Sequence, residues 1–172
     1  MRKTGFFVSV FLLLFTSIIQ AQQSNVTYEL TDLGSNSWQY NYTISNIGLT
    51  TPIEEFTIYF DEGLYQNLAI VGPTPDGWDA IVWQPELGLG SGAYDALTIG
   101  AGIGFGESIG GFNARFDWLG AGNPGSQYYE IVNTTDFTVM DSGYTVPEPA
   151  TLVLIGLGNL FLLRGKRSRY FR

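Results

Sequence analysis

The chain has 172 residues, with eight Lys+Arg against sixteen Asp+Glu, no Cys and no His, and a formal charge of −8. Without cysteine there is no disulfide framework and no thiolate site. Without histidine there is no ordinary Ser-His-Asp triad, no imidazole base and none of the common zinc sites.

The N-terminus opens with Arg2 and Lys3, followed by a nearly unbroken apolar run from Phe6 to Ile19. Ile19-Gln-Ala21 then offers a small residue at the last position of a signal-peptidase site. This is the layout of a secretory signal peptide over residues 1–21, with cleavage between Ala21 and Gln22 by signal peptidase. Beyond Ala21 the composition changes sharply. Between Gln22 and Glu148 the only cation is Arg115, set against all sixteen acidic residues, a formal charge near −15. Such a surface repels nucleic acid, which is excluded as a partner. Lysine is absent here too, so Schiff-base and Ser-Lys chemistry fall away, leaving carboxylates, hydroxyls and one guanidinium. No cofactor and no metal centre is implied.

From residue 22 to 145 the apolar pattern has period two. Trp38, Tyr40, Tyr42 and Ile44 alternate with polar residues, as do Phe56, Ile58 and Phe60, and then Phe112, Ala114, Phe116 and Trp118. Each reads as a half-buried strand, the last with Arg115 facing outward. Weaker strand candidates are 26–30, 68–71, 80–83, 96–99, 128–132 and 137–140. Turn-rich stretches at 45–52, 61–63, 72–77, 88–92 and 120–125 separate them. No stretch here has useful helix periodicity. The expectation is one all-β domain, an antiparallel β-sandwich of immunoglobulin-like or jelly-roll style, over residues 22–145.

Several features within it invite sharper readings. Gly100, Gly102, Gly104 and Gly106 alternate, but no register fits G-x-G-x-x-G and no P-loop lysine is present, so they read as an inter-strand connection. Trp78, Trp83 and Trp118 could stack on sugar rings. Trp78 is the leading glycan-stacking candidate, because Pro75-Asp-Gly-Trp-Asp79 reads as an exposed turn, whereas Trp118 continues an inward-facing alternation. Acidic pairs at Asp61-Glu62 and Asp76/Asp79 read as solvated turn residues rather than calcium ligands, since no EF-hand spacing is present. Sixteen carboxylates leave a carboxylate-dependent glycosidase as a distant alternative, with no pair marked for the task.

The C-terminus has three parts: Val146-Pro147-Glu148-Pro149, an apolar run from Ala150 to Leu163, and a basic tail of Arg164, Lys166, Arg167, Arg169 and Arg172. Fourteen helical residues at about 1.5 Å each span roughly 21 Å, short of a ~30 Å hydrocarbon core, so a helix here inserts only marginally. Asn159 weakens it further. The cations hold their end in the cytoplasm and place the preceding domain outside. The prolines disfavour helix before them, leaving 146–148 extended and open to a protease.

This tail resembles the PEP-CTERM sorting signal of bacterial exported proteins. The resemblance covers residues 146–172 and implies recognition and cleavage near Pro-Glu-Pro by a membrane-embedded exosortase. It also implies a transient stay in the inner membrane through a short transmembrane sorting helix. The destination is then the cell envelope, outer surface or medium of an exopolysaccharide-making bacterium. It assigns no activity to the preceding domain. The resulting expectation is a non-enzymatic structural or interaction protein of an exopolysaccharide-associated matrix, with a carbohydrate-binding module for exopolysaccharide as the alternative.

Overall fold

A computed structural model describes residues 22–148. The expected signal peptide with Ala21, Pro149, the apolar run and the basic tail lie outside the described residues. Ten strands occupy the rest, in chain order β1 (Ser24–Gly34), β2 (Ser37–Asn46), β3 (Glu55–Phe60), β4 (Tyr65–Ile70), β5 (Trp78–Trp83), β6 (Gly92–Thr98), β7 (Ser108–Trp118), β8 (Tyr128–Val132), β9 (Val139–Tyr144) and β10 (Val146–Pro147). The described residues contain no helix.

The strands form two five-stranded sheets packed as a sandwich. One runs β10-β1-β2-β7-β4 and the other β5-β6-β3-β8-β9. Every pairing is antiparallel except β10 on β1. The period-two pattern explains the layering, since alternate residues of a strand face opposite sides of its sheet. Tyr40, Tyr42 and Ile44 of β2 and Phe112, Ala114 and Phe116 of β7 are fully buried against Phe56, Ile58 and Phe60 of β3. Arg115 is on the exposed side of β7, where the alternation places it.

The core is aromatic. Tyr40 stacks on Phe116 at 4.9 Å between ring centroids, Phe56 meets Phe112 edge-on at 4.9 Å, and Phe60 meets Tyr65 edge-on at 5.1 Å. Phenols inside a core need partners, because an unpaired buried hydroxyl costs about 1–3 kcal/mol. Gln127, itself buried, supplies three of them. Its Oε1 accepts from the Tyr42 hydroxyl at 3.0 Å, and its Nε2 donates to the hydroxyls of Tyr40 at 2.6 Å and Tyr65 at 3.0 Å.

Two glycine positions show why the backbone requires them. The β2–β7 register slips between Tyr42 and Thr43, leaving Gly111 as the extra residue of a β-bulge with φ +98°. In the β6–β7 connection, a Cβ on Gly102 would collide with the carbonyl oxygen of Ile53. That close approach lets Ile53 and Ile103 pair as an isolated bridge, with both N–H···O bonds at 2.9 Å. The alternating glycines form the expected inter-strand connection.

Candidate functional site

The outward face of the second sheet carries three rows of side chains set by the register. The first runs across all five strands: Trp83 and Tyr59 both lie opposite Ala93, Tyr59 stands beside Tyr128, and Tyr128 lies opposite Tyr144. Four strand spacings of about 4.8 Å make this row roughly 19 Å long. The ends are open, with Trp83 52% and Tyr144 65% exposed. Between them, Tyr59 and Tyr128 stack with centroids 5.8 Å apart and planes 28° apart, and Tyr144 meets Tyr128 edge-on at 5.7 Å. Among the described residues nothing packs over these four rings, which form one contiguous aromatic row.

The second row lies two residues along each strand: Ile81, Asp95, Thr57, Glu130 and Ser142, each opposite the next. It is polar at its centre and tied to its neighbours. Thr57 donates to Asp95 Oδ2 at 2.6 Å; Tyr59 and Tyr128 donate to the two oxygens of Glu130 at 2.8 and 3.0 Å. One carboxylate thereby orients both central rings of the aromatic row. Burial pushes Asp95 above the usual carboxylate range, partly offset by its Thr57 hydrogen bond. Burial, then the charge of Asp95, pushes Glu55 of the third row up as well. The Tyr59 phenol is pushed up to about 12 by burial and by its hydrogen bond to Glu130.

Trp78 requires a correction. It does not stand in an exposed turn: it is the first residue of β5, only 4% exposed. Its ring meets Phe112 at 5.3 Å and Phe56 at 5.8 Å. The turn closes one residue earlier, with Gly77 at φ +80° and the Trp78 N–H donating to the Pro75 carbonyl at 3.0 Å. Strand parity then sends Trp78 inward with Ala80 and Val82, and Asp79, Ile81 and Trp83 outward. An indole packed between core rings cannot stack on a sugar. Trp83 is the β5 tryptophan on the outer face, and Trp118 is partly buried against Tyr65, with its Nε1 donating to the Gly122 carbonyl at 2.9 Å. Among the described residues no group of three or more His, Cys, Asp or Glu is placed to hold a metal ion. In the Asp61-Glu62 turn, Glu62 accepts the Gly88 N–H at 2.6 Å.

The start of the sorting segment also differs from expectation. Val146 and Pro147 are extended, as the prolines demand, but not free: they pair in parallel with Thr27 and Tyr28 at the edge of the first sheet. Proline is tolerated there because an edge strand needs only one side of its backbone bonded. The Glu148 N–H donates to the Tyr28 carbonyl at 2.9 Å, and its Oε1 lies 3.5 Å from the hydroxyls of Thr27 and Thr43. Thr145, fully buried, is held on both sides of Gln127, so the last rung of the sandwich runs directly into the motif. The Gln22 end meets the edge of the second sheet: Asp141 Oδ2 of β9 accepts from the N–H groups of Gln23 at 2.9 Å and Ser24 at 2.6 Å.

Residues 145–168 match the family described as the PEP-CTERM protein-sorting motif. The chain carries a PEP-CTERM sorting signal. The PEP-CTERM match indicates a secreted protein with a C-terminal, membrane-anchor-like sorting segment. No curated protein matches the chain in sequence. Among solved structures, it is similar to a family 3b carbohydrate-binding module from the biomass-sensing system of Clostridium clariflavum, with 13% identity, 70% of this chain and 95% of that one covered, and a TM-score of 0.43. It is also similar to a chitin-binding domain from Streptomyces coelicolor, with 20% identity, 62% and 90% covered, and a TM-score of 0.39. A third likeness is to a GH20 exo-β-N-acetylglucosaminidase from Vibrio harveyi, with 12% identity, 74% of this chain but only 18% of that one covered, and a TM-score of 0.38.

Proposed function

We propose that this PEP-CTERM protein is exported, cut by an exosortase-type protease near Pro147–Pro149, and delivered to the envelope or surrounding matrix, where its sandwich holds extracellular polysaccharide without chemically altering it. The observation that carries the binding role is the row Trp83–Tyr59–Tyr128–Tyr144 on an otherwise uncovered sheet face. A pyranose ring has C–H faces that stack on aromatic rings and a rim of hydroxyls that seek acceptors. The row offers the first, and Asp95, Thr57 and Glu130 beside it offer the second. A sheet fixes such groups more rigidly than loops do, so little ordering cost is paid on binding.

Two measurements test the two halves. Intact-mass spectrometry of the protein from its host's envelope and medium should give a chain starting at Gln22 and ending near Pro147–Pro149. A mass retaining Arg172 would make the tail a plain anchor. In affinity electrophoresis through the host's own polysaccharide, Trp83→Ala with Tyr144→Ala should weaken retention by at least about tenfold, since each stacked ring contributes roughly 1 kcal/mol. Both side chains are largely exposed, so the melting temperature should hardly move. Unchanged retention would remove the strip as the binding site.

A further inference from the structure

Among the described residues, the face that bears the strip has acids and no cation. Asp95 and Glu130 lie two residues from the aromatic row, about 7 Å along the strands, and Asp79 and Glu55 lie in the third row beyond. Arg115, the only Lys or Arg between Gln22 and Glu148, is on the outward face of β7 in the opposite sheet. Asp95 spends one oxygen on Thr57, and Glu130 spends one lone pair of each oxygen on a tyrosine, so both retain acceptor capacity. Partial burial makes Asp95 costly to keep charged, and an arriving ammonium group relieves that cost. An acidic polysaccharide would meet the reverse, since like charges brought together cost energy.

Resting on the strip as the polysaccharide site, we propose that it selects chains carrying free amino groups, a partly de-N-acetylated hexosamine polymer, with sugar rings stacked on Trp83, Tyr59, Tyr128 and Tyr144 and their ammonium groups received by Asp95 and Glu130. The periodicity suits this ligand, because the carboxylates run parallel to the aromatic row and recur at every second strand. An amine on a stacked ring therefore meets a carboxylate at more than one place along the chain.

The test uses the full-length protein in detergent and two probes made from one preparation: soluble, partly deacetylated chitosan and the same polymer after re-N-acetylation, at pH 6. The amine-bearing polymer is expected to bind at least about tenfold tighter and to lose that advantage in high salt, as exposed pairs do. Asp95→Asn with Glu130→Gln should remove most of the preference, weakening binding of the amine-bearing polymer far more than that of the acetylated one. Asp32→Asn with Asp117→Asn, an equal charge change on the opposite sheet, should preserve the preference. Equal affinity for both probes, lost together in Trp83→Ala/Tyr144→Ala, would overturn the preference but keep the strip. Amine-polymer binding that survives Trp83→Ala/Tyr144→Ala would reduce the effect to unspecific attraction by an acidic protein and overturn it too. Absence of binding to either probe and to the host's polysaccharide would remove the strip itself.

Discussion

Gln127→Leu is expected to destabilise the sandwich by about 3–5 kcal/mol, with chemical denaturation as the readout. The amide is fully engaged inside the core. Its side chain pairs with the phenols of Tyr40, Tyr42 and Tyr65 and with Thr145, and its main chain bonds Thr145 in both directions. Leucine is similar in size, so the loss comes from stranded hydroxyls rather than from a cavity. Tyr40 keeps the Gly125 carbonyl, which accepts from its hydroxyl at 2.7 Å, whereas Tyr42 and Tyr65 keep much less. Adding Tyr42→Phe to Gln127→Leu removes one stranded hydroxyl, so the double variant should be less destabilised than the sum of the singles. Simple additivity would mean that the amide acts through packing alone.

The second large effect is on the alkaline side. Burial raises the phenol pKa of Tyr40, Tyr42, Tyr65, Tyr94 and Tyr129 above the ordinary value near 10. Tyr94 is raised by burial alone, and its hydroxyl has no hydrogen-bond partner among the described residues. A raised folded-state pKa means that the folded form holds its proton where the unfolded chain has released it. The associated stability is intact below the unfolded pKa near 10 and is lost as pH climbs through the folded values. Each such phenol costs up to about 1.4 kcal/mol per pH unit in that window. Five together outrun the 5–15 kcal/mol of a typical domain between about pH 10 and 12. Phenolate absorbance from these five rings and loss of circular dichroism should therefore come together, in one cooperative step near pH 11. A smooth titration near pH 10 with the fold intact would contradict the burial of these rings.

Much of the scaffold is written locally in the chain. The alternations at 38–44, 56–60 and 112–118 become β2, β3 and β7 with the inward residues where period two puts them, because parity survives whatever partner a strand finds. Trp78 fails for the same reason in reverse. It falls on the inward parity of Ala80 and Val82 once β5 begins at Trp78 rather than two residues later, and the five-residue step to Trp83 puts the two indoles on opposite faces. The strip itself has no local signature. Trp83, Tyr59, Tyr128 and Tyr144 come from four separate strands, and only the order β5-β6-β3-β8-β9 lines them up. The sole hint is Tyr128-x-Glu130, an aromatic and an acid on one face of one strand. β10 is illegible as a strand for a different reason: two residues, one of them a proline, have no periodicity, and their pairing depends on an edge of β1 left open.

The most direct test of the polysaccharide role is hydroxyl-radical footprinting of the processed protein with and without its host's polysaccharide. Protection of Trp83, Tyr59, Tyr128 and Tyr144 together is expected, with Leu33 and Leu119 at the other sheet's strand ends unchanged. Protection centred on that other sheet, or no protection at saturating polysaccharide, would contradict it.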